Sequence, residues 1–109
     1  MHVFIDDERY PPNDGSHWVI IRDAPTAIKV IRANWERIEK ISFDHDLGEP
    51  EAGTGYDVAT AIEQMVHDEQ LIKLPEMVVH SANPTGSARI KAVIQSIDRI
   101  VTANRDATT

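Results

Sequence analysis

The chain has 109 residues and an apolar fraction of 41%, enough for one domain around one core. It has no cysteine, which excludes a disulfide frame and thiolate chemistry. Its formal net charge of -7 speaks against broad binding to duplex DNA, which relies on excess Lys and Arg. Met1 leads directly into strand-like sequence with no basic-apolar signal segment, and no apolar run approaches bilayer length. A cytoplasmic, membrane-free protein is expected, folded as a single domain over residues 1–109.

Val3-Phe4-Ile5 is a short apolar run that stops at Asp6-Asp7-Glu8, a strand ending in carboxylates. Pro11-Pro12 and Asn13-Asp14-Gly15 make a loop of the stretch from Arg9 to Ser16. Trp18 to Ile21 is a second strand, and Asp23 caps a helix that tolerates Pro25 in its first turn. In that helix Ala27, Ile28, Ile31, Trp35 and Ile38 share one apolar face. Ile41-Ser42-Phe43 is a third strand, ending in Asp44-His45-Asp46, and Gly48 to Gly55 is a loop. Val58, Ile62, Met65 and Val66 mark a second helix. Met77-Val78-Val79 is a fourth strand ending at His80-Ser81. A last helix carries Ile90, Val93, Ile94, Ile97 and Val101, and the polar stretch from about Thr102 to Thr109 reads as a frayed tail.

Strands linked through helices predict a parallel α/β sheet, and apolar runs without alternation suggest strands covered on both faces. In such a sheet the C-terminal strand ends share one edge, where ligands of open α/β sheets bind. Three strands bring acid or imidazole to that edge. Loops after buried strands are polar anyway, which accounts for any one of these segments. It accounts less well for three that carry specifically Asp and His.

Asp6, Asp7 and Asp44 are hard oxygen donors suited to a divalent ion such as Mg²⁺, and imidazole ligands would shift the preference towards Mn²⁺ or Zn²⁺. The plain counter-reading holds these carboxylates with Arg9 and loop amides. His45 and His80 are candidate acid and base near neutral pH, with Asp46 to orient one of them. The start of the last helix and the guanidinium groups of Arg9 and Arg89 suit a phosphate. Ser81 and Asn83 are placed to hold its nonbridging oxygens, and Tyr56 to stack on a base. His2 and His17 begin strands at the opposite edge, and His67 lies in a polar helical stretch, so none of the three is assigned to the site.

An acidic pair after strand 1, an Asp after strand 3 and Ser-Ala after strand 4 resemble a response-regulator receiver domain. More closely, Phe4-Ile5-Asp6-Asp7-Glu8-Arg9, Asp44-His45-Asp46-Leu47-Gly48, Gly55-Tyr56-Asp57 and His80-Ser81-Ala82-Asn83-Pro84 resemble the cyclic-phosphate-processing receiver-like family. That resemblance implies a receiver-derived, flavodoxin-like fold. Together with right-handed crossovers, it implies four strands in the order 2-1-3-4 with three helices. It also implies a role in processing cyclic phosphate bonds on nucleotides or RNA ends, in a bacterial or phage conflict setting. Three departures from ordinary receivers stand out: a Pro11-Pro12 loop in place of the first helix, no fifth strand with its lysine, and two added histidines.

The expected function is therefore a phosphoesterase acting on a cyclic nucleotide, a cyclic oligonucleotide or an RNA with a cyclic phosphate end. Its catalytic set is Asp7, Asp44, His45, Asp46 and His80, with Arg9, Tyr56, Ser81, Asn83 and Arg89 on the substrate. The competing readings are a receiver phosphorylated on Asp44 and a non-catalytic cyclic-nucleotide binder.

Overall fold

The computed structural model describes residues 1–108. Its four strands are β1 (His2–Ile5), β2 (Trp18–Ile21), β3 (Lys40–Phe43) and β4 (Glu76–Val79). They are all parallel, in the order β2-β1-β3-β4. Three α-helices accompany them: α1 (Ala24–Asn34), α2 (Gly55–Asp68) and α3 (Pro84–Thr108). The expected flavodoxin-like receiver topology is thus present. Short 3₁₀ turns occupy Trp35–Arg37 and Pro50–Ala52. Among the described residues no helix is long and apolar enough to cross a membrane.

Local signals start the helices where the sequence places them. The Asp23 side chain accepts from Thr26 N at 2.9 Å, with Pro25 in the first turn of α1. Thr54 and Asp57 form a reciprocal capping box at the start of α2.

The strand register puts alternate residues on opposite faces. Val3, Ile5, Ile21, Ile41 and Phe43 join buried residues of α1, α2 and α3 in one core. The three helices pack side by side, α1 on α2 and α2 on α3. The strands were expected to be covered on both faces, and the second face is covered without a helix. The other face bears Phe4, which is buried yet stands outside the shared core. Trp18 crosses Phe4 edge-on at 5.8 Å and His80 stacks on it at 4.4 Å. Aromatic rings cover this strand centre in place of a helix, so the run Val3-Phe4-Ile5 shows no alternation. A right-handed β1-to-β2 crossover has to pass over this same face, and here it is the proline-containing loop that makes it. Trp18 Nε1 donates to Asp14 Oδ1 in that loop at 3.2 Å.

The stretch from Thr102, expected to fray, is helix instead. Helix α3 continues through Thr108, and Thr109 lies outside the described residues. Val101 is fully buried, and the Asn104 amide donates to Val66 O at 2.9 Å and Leu71 O at 2.8 Å. Arg105 Nε donates to Ile72 O at 2.6 Å. Polar residues that look like a tail are satisfying carbonyls at and beyond the end of α2.

Candidate functional site at the strand ends

The parallel sheet delivers Asp6, Asp44 and His80 to one edge. One ligand-type atom from each lies within 4.8 Å of the others. Asp6 follows β1 and is fully buried. Its Oδ1 accepts from Glu8 N and Arg9 N, both at 2.8 Å. Its Oδ2 faces His80 Nε2 at 2.9 Å and Arg9 Nε at 3.4 Å. Burial pushes the Asp6 carboxyl up, but the Arg9 and Glu8 amides, His80 and the Arg9 charge together hold it below its ordinary 3.8.

Arg9 reaches across this cluster. Besides Asp6, its guanidinium donates to His80 O at 3.1 Å and lies 3.9 Å from Asp44 Oδ1. Arg22 secures the turn from behind, donating to Asp6 O at 3.0 Å and Arg9 O at 2.8 Å. On its other side, His80 Nδ1 is 2.7 Å from Ser42 Oγ, and the ring lies flat on Phe4.

The second histidine has a different environment. His45 Nδ1 stands 2.9 Å from Asp46 Oδ1, and Asp46 Oδ2 accepts from Asn83 Nδ2 at 3.4 Å. The His45 bond holds the Asp46 carboxyl below its ordinary value, against a smaller effect of burial. Asn83 Oδ1 also accepts from Gly86 N at 2.9 Å, so one side chain ties the start of α3 to Asp46. Ser81 Oγ accepts from Asn83 N at 3.1 Å. The His45 carbonyl accepts from Gly55 N at 2.9 Å, and a Cβ on Gly55 would stand 1.9 Å from the Asp44 carbonyl. The β3 end thus sits directly on the start of α2.

A cleft of about 290 Å³ opens among Asp6, Asp7, Glu8, Arg9, Asp44 and Asp46, with Gly48 and Ala82 completing its lining. A family model of the cyclic-phosphate processing receiver domain matches residues 1–96. The chain belongs to that family. No curated protein and no solved structure matches it.

The expected site residues of this receiver domain fall into three places. Asp6, Asp7, Arg9, Asp44 and Asp46 meet around the cleft. His45, His80, Ser81 and Asn83 are not among its lining residues. His45 and His80 bond to the wall residues Asp46 and Asp6, Asn83 to Asp46 and Gly86, and Ser81 to Asn83. Tyr56 and Arg89 pair with one another, the guanidinium 4.2 Å over the ring, and line a separate groove of about 310 Å³ between α2 and α3. Asp7 was expected beside Asp6 and Asp44 as an ion ligand, but His80 takes that third position. An ion among Asp6, Asp44 and His80 fits poorly. Asp6 Oδ1 already accepts two backbone amides, its Oδ2 faces His80 Nε2, and Arg9 pairs with both carboxylates as the resident cation.

Sequence reasoning assigned no role at the site to Ser42 or Arg22, both of which hold it. Ser42 carried a signal, being the one polar residue inside the run Ile41-Ser42-Phe43, and it is buried.

Proposed function

We propose that this receiver domain is a phosphoesterase that opens a cyclic phosphate on a nucleotide, a cyclic oligonucleotide or an RNA end. The observation that carries the reading is the pairing of each added histidine with its own carboxylate at one strand edge, His45 with Asp46 and His80 with Asp6. Opening the ring joins a water oxygen to phosphorus and breaks the bond from phosphorus to a ribose oxygen. One proton leaves the water and one joins the departing oxygen, and imidazole is the side chain suited to carry them near neutral pH. Arg9, half exposed at the cluster, supplies charge-assisted hydrogen bonds to a nonbridging oxygen. Because carboxylates dominate the cleft, the phosphate belongs at its rim, against Arg9 and the start of α3. Tyr56, beside Gly55 at the start of α2, offers a face for a base, with Arg89 already stacked on it.

The phosphorylated-receiver reading draws less support. Asp44 is 5% exposed, and its Oδ1 already accepts from His45 N at 2.8 Å. A phosphoacceptor needs an approachable oxygen.

The test is a screen of cyclic mononucleotides, cyclic oligonucleotides and RNA with 2′,3′-cyclic ends, with and without divalent ions, read by mass spectrometry. Addition of one water to a substrate supports hydrolysis. Ligand recovered intact after tight binding supports a sequestering protein. A phosphoryl adduct on Asp44 after incubation with a small phosphodonor supports signalling.

A further inference from the structure

We infer, building on the hydrolytic reading, that the two histidines hold opposite tautomers. Ser42 and Asp6 lock His80 with its hydrogen on Nε2, and His45 is left as the base that takes the proton of water. Ser42 is thereby assigned as a positioning residue of the site.

A carboxylate near neutral pH only accepts hydrogen bonds, so the ring nitrogen facing it carries the hydrogen. In His80 that nitrogen is Nε2, 2.9 Å from Asp6 Oδ2. In His45 it is Nδ1, 2.9 Å from Asp46 Oδ1. A neutral imidazole has one N–H, so the lone pair lies on the opposite nitrogen in each ring. The lone pair of His80 is on Nδ1, where the Ser42 hydroxyl donates to it across 2.7 Å. The Ser42 hydroxyl thus already occupies the Nδ1 lone pair, which is not left to take a proton from water. Nor can the ring turn over freely. It stacks on Phe4 at 4.4 Å and 5°, and a flip would break the bonds to both Ser42 and Asp6.

His45 is arranged the other way. Its Nδ1 is taken by Asp46, while Nε2 has no partner among the described residues. A base must offer its lone pair to the attacking water, and only His45 does so. The proton passes from the water oxygen to His45 Nε2, while Nδ1–H stays on Asp46. The same Nε2–H then gives it to the ribose oxygen as that oxygen's bond to phosphorus breaks. His80 works from the donor side alone, holding Asp6 through Nε2–H and Arg9 through its backbone carbonyl.

The experiment is a long-range ¹H–¹⁵N spectrum of the full chain with labelled histidine, near pH 8.5, where imidazole is ordinarily neutral. His45→Gln and His80→Gln assign the signals. The expected result is Nε2–H for His80 and Nδ1–H for His45. In Ser42→Ala the His80 Nδ1 resonance shifts as it loses its donor, while the His45 signals stay in place. With a cyclic phosphate that is turned over, Ser42→Ala lowers kcat and leaves KM nearly unchanged. Identical tautomers in the two rings, or a His80 signal indifferent to Ser42→Ala, overturn the inference. The spectrum needs no substrate. If the tautomers are as expected and no cyclic phosphate is opened, the hydrolytic reading falls and the Ser42 lock stands.

Discussion

The ring of His45 lies directly on Gly86 in the first turn of α3, so close that a Cβ on the glycine would stand 2.3 Å from His45 Cγ. Gly86 is therefore the seat of the imidazole. Gly86→Ala forces the ring off this seat and away from Asp46. The substitution is expected to destabilise the fold by about 1–3 kcal/mol, as overpacking does, and to reduce turnover of a cyclic phosphate. Urea denaturation separates the two effects, since activity measured well below the unfolding range reports the ring alone. Full activity in Gly86→Ala would mean that the position of His45 does not matter to the reaction.

His45→Gln keeps hydrogen-bonding capacity but cannot take up a proton near neutral pH. Turnover should drop by roughly 10²–10⁴-fold, the usual worth of a positioned acid or base, with ligand affinity changed far less. Steady-state kinetics on a substrate found in the screen, with binding measured by calorimetry, checks both halves. Normal turnover would remove His45 from the chemistry.

Asp6 links the site to stability in acid. Its carboxyl is held below the ordinary 3.8, so the folded state binds its proton less readily than the unfolded chain does. The resulting stabilisation is fully present above pH 3.8 and is lost as the pH falls towards the lower folded value. Asp6→Asn turns a neutral NH₂ or C=O towards His80 and Arg9 and leaves donors unmatched. It should cost about 1–3 kcal/mol near pH 7 and flatten the decline of stability in acid. Thermal midpoints of both proteins across pH 2.5 to 7 (roughly the carboxylate range) measure this, and parallel profiles would argue against Asp6 as the group responsible.

Arg9 and a divalent ion would compete for the same carboxylates. Manganese should bind the unaltered chain weakly and bind Arg9→Gln more tightly, because the guanidinium no longer bridges Asp6 and Asp44. Adding Asp44→Asn to Arg9→Gln should remove the gain. Calorimetry with Mn²⁺ alone reads all three proteins. Equal affinity in the first two would show that Arg9 and the ion use different oxygens.

The end of α3 gives a test away from the site. Asn104 donates to two carbonyls, those of Val66 and Leu71, and Asn104→Ala leaves both short of a partner. A loss of about 1–2 kcal/mol is expected in denaturant unfolding. A loss near zero would restore the picture of a frayed tail.

Much of this protein was legible in one dimension. Strand and helix positions follow from local apolar periodicity and from capping side chains such as Asp23 and Thr54, which act within four residues. The strand order follows from right-handed crossovers together with the likeness to receiver domains, and the carboxylates and imidazoles at the strand ends follow from the parallel topology. What the sequence could not decide is which atom meets which. His45 and His80 look alike as residues after buried strands, yet one pairs with its chain neighbour Asp46 and the other with Asp6, 74 positions away. The helix-free sheet face had no one-dimensional signature either, because Phe4 is covered by Trp18 and His80, which come from other strands. The polar end of α3 looked loose because its partners, Val66 and Leu71, lie more than 30 residues earlier. Local interactions are written in neighbouring residues. A side-chain hydrogen bond depends on distances of tenths of an ångström between distant segments, and only the packed sheet and helices set those.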